Sequence, residues 1–93
     1  MFNFENLDEK MEVYTSVFVI DVDGQIQKET MQAPRLMLEQ NFKSLVQQAV
    51  QADAPIKVEM IVKVYIFNQF DNKWVEREHS VTFKNNSYLS KYE

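Results

Sequence analysis

The most regular hydrophobic pattern in the chain runs through residues 56–68, where two kinds of position alternate. One set of alternate positions is wholly apolar, and the other mixes charged, aliphatic and aromatic residues. The apolar set comprises Ile56, Val58, Met60, Val62, Val64 and Ile66. Because successive side chains of a β-strand point to opposite faces of the sheet, this alternation predicts a long strand with one apolar face and one mixed face.

A hairpin partner for this strand is predicted to begin directly after Asp71-Asn72. These two residues suit a two-residue turn, since both residue types tolerate the left-handed backbone conformation better than most. A turn of this length pairs Val62 with Val81 and Met60 with Phe83. The predicted register therefore brings apolar residues together on one face.

Another strand is predicted over residues 13–22, which are rich in β-branched and aromatic residues, and residues 25–30 follow as its antiparallel partner. Gly24 is the only glycine in the chain, and it can adopt the positive φ that a tight turn needs. A two-residue turn would place polar residues of the second strand beside the apolar side chains of the first, whereas an odd-length turn would bring Ile26 there. We therefore expect an odd-length, bulged turn. The polar residues concerned are Gln25, Gln27 and Glu29.

Residues 33–52 predict one long helix. Apolar residues recur there at spacings of three and four, which produces a single apolar stripe. The stripe comprises Leu38, Phe42, Leu45, Val46 and Ala49. Pro34 suits the first helical turn, where its missing N–H needs no partner. Pro55 marks the end of the helix, because the residue before a proline disfavours the helical conformation.

The predicted order of elements is β-β-α-β-β. Packing the helix stripe on the apolar sheet face buries the residues that are expected to be buried. We therefore predict an α+β fold, in which a four-stranded antiparallel sheet carries one helix on one face. A chain of 93 residues has the size of one domain, so residues 1–93 are predicted to form a single domain with polar terminal segments at 1–11 and 85–93.

Composition favours a globular cytoplasmic protein. Hydrophobic residues make up 45% of the chain and charged residues 26%, which is typical of folded domains. The chain has no cysteine, and its first residues lack the basic and apolar regions of a secretion signal. No apolar run approaches the roughly 20 residues that a membrane helix needs. We therefore expect no association with membranes.

The mixed face of the sheet is the candidate functional surface. The predicted register places four large apolar residues on the face away from the helix: Ile61, Tyr65, Phe67 and Trp74. In this register Trp74 lies next to Gln69, and Glu76 lies opposite Phe67. An open apolar patch of this kind is larger than a soluble monomer normally exposes.

Three interpretations of this face remain open. The ends of the chain could cover it, through Phe2, Phe4 and Leu7 or through Tyr88, Leu89 and Tyr92. It could be an interface with a second copy or another protein, where Trp and Tyr are common anchors. It could also stack the bases of single-stranded nucleic acid, with nearby lysines on the phosphates.

We expect a non-enzymatic protein–protein interaction module that acts through this face, and a homodimer is one form that it can take. The alternatives are a single-stranded nucleic-acid binder and an acidic inhibitor of a nucleic-acid-binding partner. The net charge of -4 argues against binding of duplex nucleic acid, although residues 55–93 hold six basic residues against five acids. The acids that an inhibitor would use are Glu5, Asp8, Glu9 and Glu12.

No catalytic, cofactor or metal site is predicted. His79 is the only histidine, and its strand position predicts a core or rim location rather than a catalytic one. The segment Asp21–Gly24 resembles the start of a calcium-binding loop, but Thr30 stands where that motif requires a glutamate. A single glycine also excludes a glycine-rich phosphate loop. We therefore expect no enzymatic activity, no cofactor and no small-molecule substrate.

Overall fold

The computed structural model describes residues 12–93. Four strands form one antiparallel sheet in the order β2-β1-β3-β4, and two helices accompany it. This arrangement confirms the predicted α+β fold and adds a short C-terminal helix. The elements are β1 (Val13–Val22), β2 (Gln25–Pro34), α1 (Arg35–Gln51), β3 (Ile56–Asn68), β4 (Lys73–Lys84) and α2 (Asn86–Tyr92).

Helix α1 packs on one face of the sheet, over β1, β2 and β3. Phe18 and Met60 lie directly opposite each other on β1 and β3, and both are buried in one cluster with Leu38 of α1 and Ala33 of β2. Burying one large apolar side chain stabilises a fold by about 1.5–3 kcal/mol, so these contacts hold the helix on the sheet. Partly buried residues surround the cluster: Tyr14, Met31, Phe42, Leu45 and Val62.

The first hairpin does not have the bulged turn that the sequence favours. Val22 pairs with Gln25, so the turn has two residues, Asp23 and Gly24, both with positive φ. This conformation matches the twist of the two strands. Polar side chains of β2 therefore share the helix-facing side with Ile20. They are exposed because α1 contacts β2 only near Ala33, at the end of the strand away from the turn. Polar side chains near the turn therefore stay in water and cost the fold little free energy.

The second hairpin also differs from the prediction, by two residues. Met60 pairs with Val81, so the turn has four residues, 69–72. The side chain of Asn68 organises this turn: its Oδ1 accepts the N–H of Phe70 at 2.9 Å, and its Nδ2 donates to Asp71 at 3.2 Å. A shift of two residues leaves every side chain on its predicted face.

Asn85 joins four parts of the fold and is 5% exposed. Its Nδ2 donates to the carbonyl of Ala49 at 2.9 Å and to that of Ala54 at 2.8 Å. Its Oδ1 accepts the N–H of Ile56 at 3.0 Å and that of Tyr88 at 2.8 Å. All four hydrogen-bonding positions of the amide are used. One side chain thus connects the end of α1, the loop that follows it, the start of β3 and the first turn of α2.

Replacing Asn85 should destabilise the fold strongly. Asn85→Ala removes the cap of α2 and leaves buried carbonyl and N–H groups without partners, so we expect a loss of about 2–4 kcal/mol in the free energy of unfolding. Urea denaturation measures this loss. Asn86→Ala, at the exposed neighbouring position, is the matched control and should change stability by less than about 0.5 kcal/mol. Equal effects of the two substitutions would contradict the assigned role of Asn85.

Helix α2 is also attached to the turn between β1 and β2. Oδ1 of Asp23 accepts hydrogen bonds from Nζ of Lys91 and from the hydroxyl of Tyr92, both at 2.6 Å. The hydrogen bond from Lys91, followed by that from Tyr92, lowers the pKa of Asp23 below its ordinary value. The carboxylate form of Asp23 therefore favours the docked position of α2.

Acid should release this contact. A carboxyl group with a lowered folded-state pKa contributes stability above its unfolded pKa, and the contribution disappears as pH falls through the folded-state pKa. We expect the NMR signals of Lys91 and Tyr92 to shift as pH falls below about 4. Asp23→Asn should abolish this transition, whereas Asp71→Asn in the other turn should preserve it. A transition that persists in Asp23→Asn would contradict the assignment.

Candidate functional site

The outer sheet face is the face that α1 does not cover. All four residues predicted for the candidate site lie on it. Ile61 is half-buried between its strand neighbours Val17 and Ser80, whereas the three aromatic residues are more open to solvent. The exposed fractions of these aromatic residues are 60% for Tyr65, 40% for Phe67 and 68% for Trp74.

The aromatic residues have different strand partners from those predicted. Trp74 lies directly opposite Phe67 rather than beside Gln69, and Glu76 lies opposite Tyr65 rather than Phe67. The four-residue turn causes both corrections. The rings of Phe67 and Trp74 meet edge to face, with centroids 5.3 Å apart and planes inclined by 65°. This geometry is the favourable one for an aromatic pair and orients the indole on the surface.

The aromatic residues occupy a two-stranded extension of the sheet. Pairing between β1 and β3 ends at Thr15 and Lys63, whereas β3 and β4 remain paired as far as Asn68 and Lys73. We call residues 64–77 the arm. Apolar side chains are exposed on both faces of the arm. Burial within one copy of the chain therefore does not explain why the arm contains so many apolar residues.

The outer face also contains aliphatic residues of β1 and β2 that the sequence analysis does not assign to it. Val17 pairs with Ile61 on β3, Val19 lies two residues along the same strand, and Ile26 of β2 is exposed beside them. The alternation of β1 indicates an outer-face position for Val17 and Val19, because each is adjacent in sequence to the buried Phe18 and so points to the opposite face. The apolar surface therefore extends from the arm across the centre of the sheet.

The charges of the outer face are balanced. Four lysines and four acids alternate with the apolar residues on this face. They are Lys28, Lys57, Lys63 and Lys84, with Asp21, Glu59, Glu76 and Glu78. Nζ of Lys63 lies 3.7 Å from a carboxylate oxygen of Glu76, next to Tyr65, so one cation beside the aromatic residues already has an anionic partner.

Helix α2 contacts one end of the outer face only. The ring of Tyr88 lies near the ammonium groups of Lys57 and Lys84, at 5.8 and 5.9 Å from its centroid, and Glu93 pairs with Lys84. These contacts lie at the start of β3, far along the strand from Trp74. One predicted alternative was that the C-terminal end of the chain covers the outer face, through Tyr88, Leu89 and Tyr92. In the structure α2 leaves the aromatic residues open. The other predicted cover, by Phe2, Phe4 and Leu7, lies outside the described residues.

The remaining candidate chemistry is sparse. His79 pairs with Val62 on the helix-facing side of β4, two positions from its predicted partner, and its side chain is exposed. Within residues 12–93, no three histidine, aspartate or glutamate side chains are grouped closely enough to hold a metal ion. In the same part of the chain, neither helix has the length and apolar character that a membrane span requires.

No protein-family model, curated protein or solved structure matches the chain.

Truncating the surface tryptophan should affect folding only slightly. Trp74→Ala removes a largely exposed side chain and one edge-to-face pair, so we expect a loss of no more than about 1.5 kcal/mol in the free energy of unfolding. Phe18→Ala, which truncates a fully buried aromatic residue, should cost about 3–5 kcal/mol. Urea denaturation compares the two variants. A loss for Trp74→Ala as large as that for Phe18→Ala would show that Trp74 belongs to the core.

Proposed function

We propose that this chain is a non-enzymatic protein-interaction module whose outer sheet face binds a second copy of the same chain. The exposed cluster of Tyr65, Phe67 and Trp74, continuous with Val17 and Ile61, carries the proposal. Water contact with this surface is unfavourable, and burying it against another copy removes that cost. Trp and Tyr are the residue types on which protein interfaces depend most.

The size of the face supports a dimer. Four strands spaced about 4.8 Å apart, over about ten residues of 3.3 Å each, give a surface of roughly 600 Å² before its relief is counted. A stable interface typically buries about 800 Å² of accessible surface on each partner. Two outer faces packed together would also form a β-sandwich, in which each sheet has one helix-covered face and one face against its partner.

The balance of charge favours a protein partner over nucleic acid. A single-strand binding groove follows the phosphates with an excess of cations. Here Glu76 and Glu78 lie on the same strand face as Trp74, and Lys63 is paired with Glu76. A face with equal numbers of lysines and acids can instead pair with itself across a two-fold axis, because each charge can meet its opposite on the second copy.

Removing the aromatic anchors should weaken self-association. Interface anchors each contribute about 2 kcal/mol or more, so Tyr65→Ala with Trp74→Ala should cost about 4 kcal/mol and raise the dimer dissociation constant about 1000-fold. Sedimentation equilibrium over a range of concentrations measures this constant. Phe70→Ala is the matched control, since Phe70 is 99% exposed in the turn and lies beyond the paired strands of the outer face.

Two results would oppose this proposal. A chain that sediments as a monomer at every accessible concentration would exclude the dimer. Quenching of Trp74 emission by a single-stranded oligonucleotide at low salt, with a strong salt dependence, would instead assign the face to nucleic acid. The dimer predicts no such quenching.

A further inference from the structure

The charges that β4 presents on the outer face are unevenly placed along the strand. Glu76 and Glu78 lie towards the arm, whereas Lys84 lies at the other end of β4, opposite Lys57 of β3. All four side chains point to the outer face, since they alternate with the helix-facing residues. The outer side of β4 is therefore acidic towards the arm and basic towards α2.

We propose that the two copies of the dimer pack with their β3 strands antiparallel, so that the arm of each copy lies against α2 of the other. This arrangement rests on the proposed function, because the same outer face meets the second copy. Its two-fold axis crosses the strands at Ile61, in the centre of the apolar surface. Such an axis brings the acidic part of β4 against the basic part of the same strand in the second copy. An axis that runs along the strands instead leaves the acidic parts of both copies at the same end of the dimer.

Opposite charges meet across this axis, because positions equally far from it along a strand face each other. Lys63 and Glu59 each lie two residues from Ile61 on β3, so Lys63 of one copy meets Glu59 of the other. On β4, Glu76 and Lys84 each lie four residues from the strand partner of Ile61 and meet in the same way. Two packed sheets lie about 10 Å apart, a gap that two long charged side chains span. Each of these ion pairs occurs twice in the dimer.

The first aromatic residue of the arm comes next to α2 in this arrangement. Tyr65 and Lys57 each lie four residues from Ile61, so the ring of Tyr65 meets the ammonium group of Lys57 in the second copy. That ammonium group already lies 5.8 Å from the ring centroid of Tyr88 in α2. Contact between a lysine and a tyrosine ring is favourable, and here one lysine is shared by two rings.

Phe67 and Trp74 reach further, as far as α2 itself. Each lies six residues along its strand from the axis, whereas the last pair of β3 and β4 residues at the other end of the sheet lies four residues from it. Six residues of a strand span about 20 Å. Helix α2 crosses that end of the sheet, from Asn85 after β4 to its contact with Asp23 in the first turn. It therefore lies in the path of the arm even at the angle of about 30° at which two sheets usually pack.

The surface of α2 suits contact with the arm. Leu89 is 41% exposed and Tyr92 is 45% exposed, so α2 offers apolar surface to the rings of Phe67 and Trp74. Burying apolar surface on both elements is favourable. The flat outer face alone gives roughly 600 Å², and the contact between arm and α2 raises the buried area towards the roughly 800 Å² that each partner of a stable interface buries. The contact therefore accounts for exposed apolar residues on both elements.

Paramagnetic relaxation between copies, measured by NMR on the full-length chain, tests this arrangement. The chain has no cysteine, so Phe70→Cys at the tip of the arm creates one attachment site for a nitroxide. This chain is mixed with isotope-labelled chain that lacks the nitroxide, so that only contacts between copies broaden the observed signals. The amide signals of Leu89 and Lys91 in α2 should broaden at least several-fold more than those of Asn68 and Asp71, because the two arms lie at opposite ends of the dimer.

The control is a nitroxide at Gln47→Cys, on the exposed side of α1, which faces away from the second copy and should broaden neither set of signals. Three results with the label at position 70 would overturn the arrangement: stronger broadening of the arm signals, equal broadening of both sets, or broadening of neither. Sedimentation of the same samples separates this failure from that of the proposed function. A dimer that gives one of these results overturns the arrangement alone, whereas a monomer overturns the proposed function and the arrangement with it.

Discussion

The two-residue alternation of β3, together with the packing of α1 on the sheet, determines which residues of this protein face solvent. β3 lies inside the sheet between β1 and β4, so both of its backbone edges are paired. Met60 and Val58 are buried on the helix-facing side of the sheet. The core has few fully buried side chains, so exposing either residue would destabilise the fold. Because neighbouring side chains on a strand point in opposite directions, burying this set forces Ile61, Tyr65 and Phe67 outward.

The same constraint explains how far the sequence predicts the fold and the candidate site. The sequence was sufficient to identify the four strands, the long helix and the faces of Ile61 and Trp74. The length of the second turn was not predictable from alternation, because pairings that differ by two residues place the same residues on the same faces. The side-chain hydrogen bonds of Asn68 decide between them, and a pattern of hydrophobic positions does not contain that information. Trp74 therefore lies on the predicted face, although the strand partner predicted for it was wrong.

Tertiary contacts explain the other differences. The turn at Asp23-Gly24 was predicted on the assumption that the whole apolar side of β1 is covered, but α1 covers only part of it, so polar residues of β2 can lie there. Helix α2 is too short for a periodic signal to identify it. Its cap residue Asn85 is adjacent in the sequence, but the amide of Asn85 is held by the carbonyls of Ala49 and Ala54, and Lys91 is held by Asp23, all of which are distant in the sequence. Local pattern cannot reveal a helix whose stability comes from distant partners.

A thin sheet with one helix leaves two open surfaces of different character, an aromatic and charge-balanced outer face and a mainly apolar groove beside α1 on the other face. We infer a second copy of the chain on the first surface. The emission of the single tryptophan on dilution of the unmodified chain tests the proposed self-association through the outer face most directly. Burial of Trp74 in the dimer predicts emission at shorter wavelength when the protein is concentrated and a shift to longer wavelength as dilution separates the copies. Emission typical of exposed tryptophan at every concentration would contradict it.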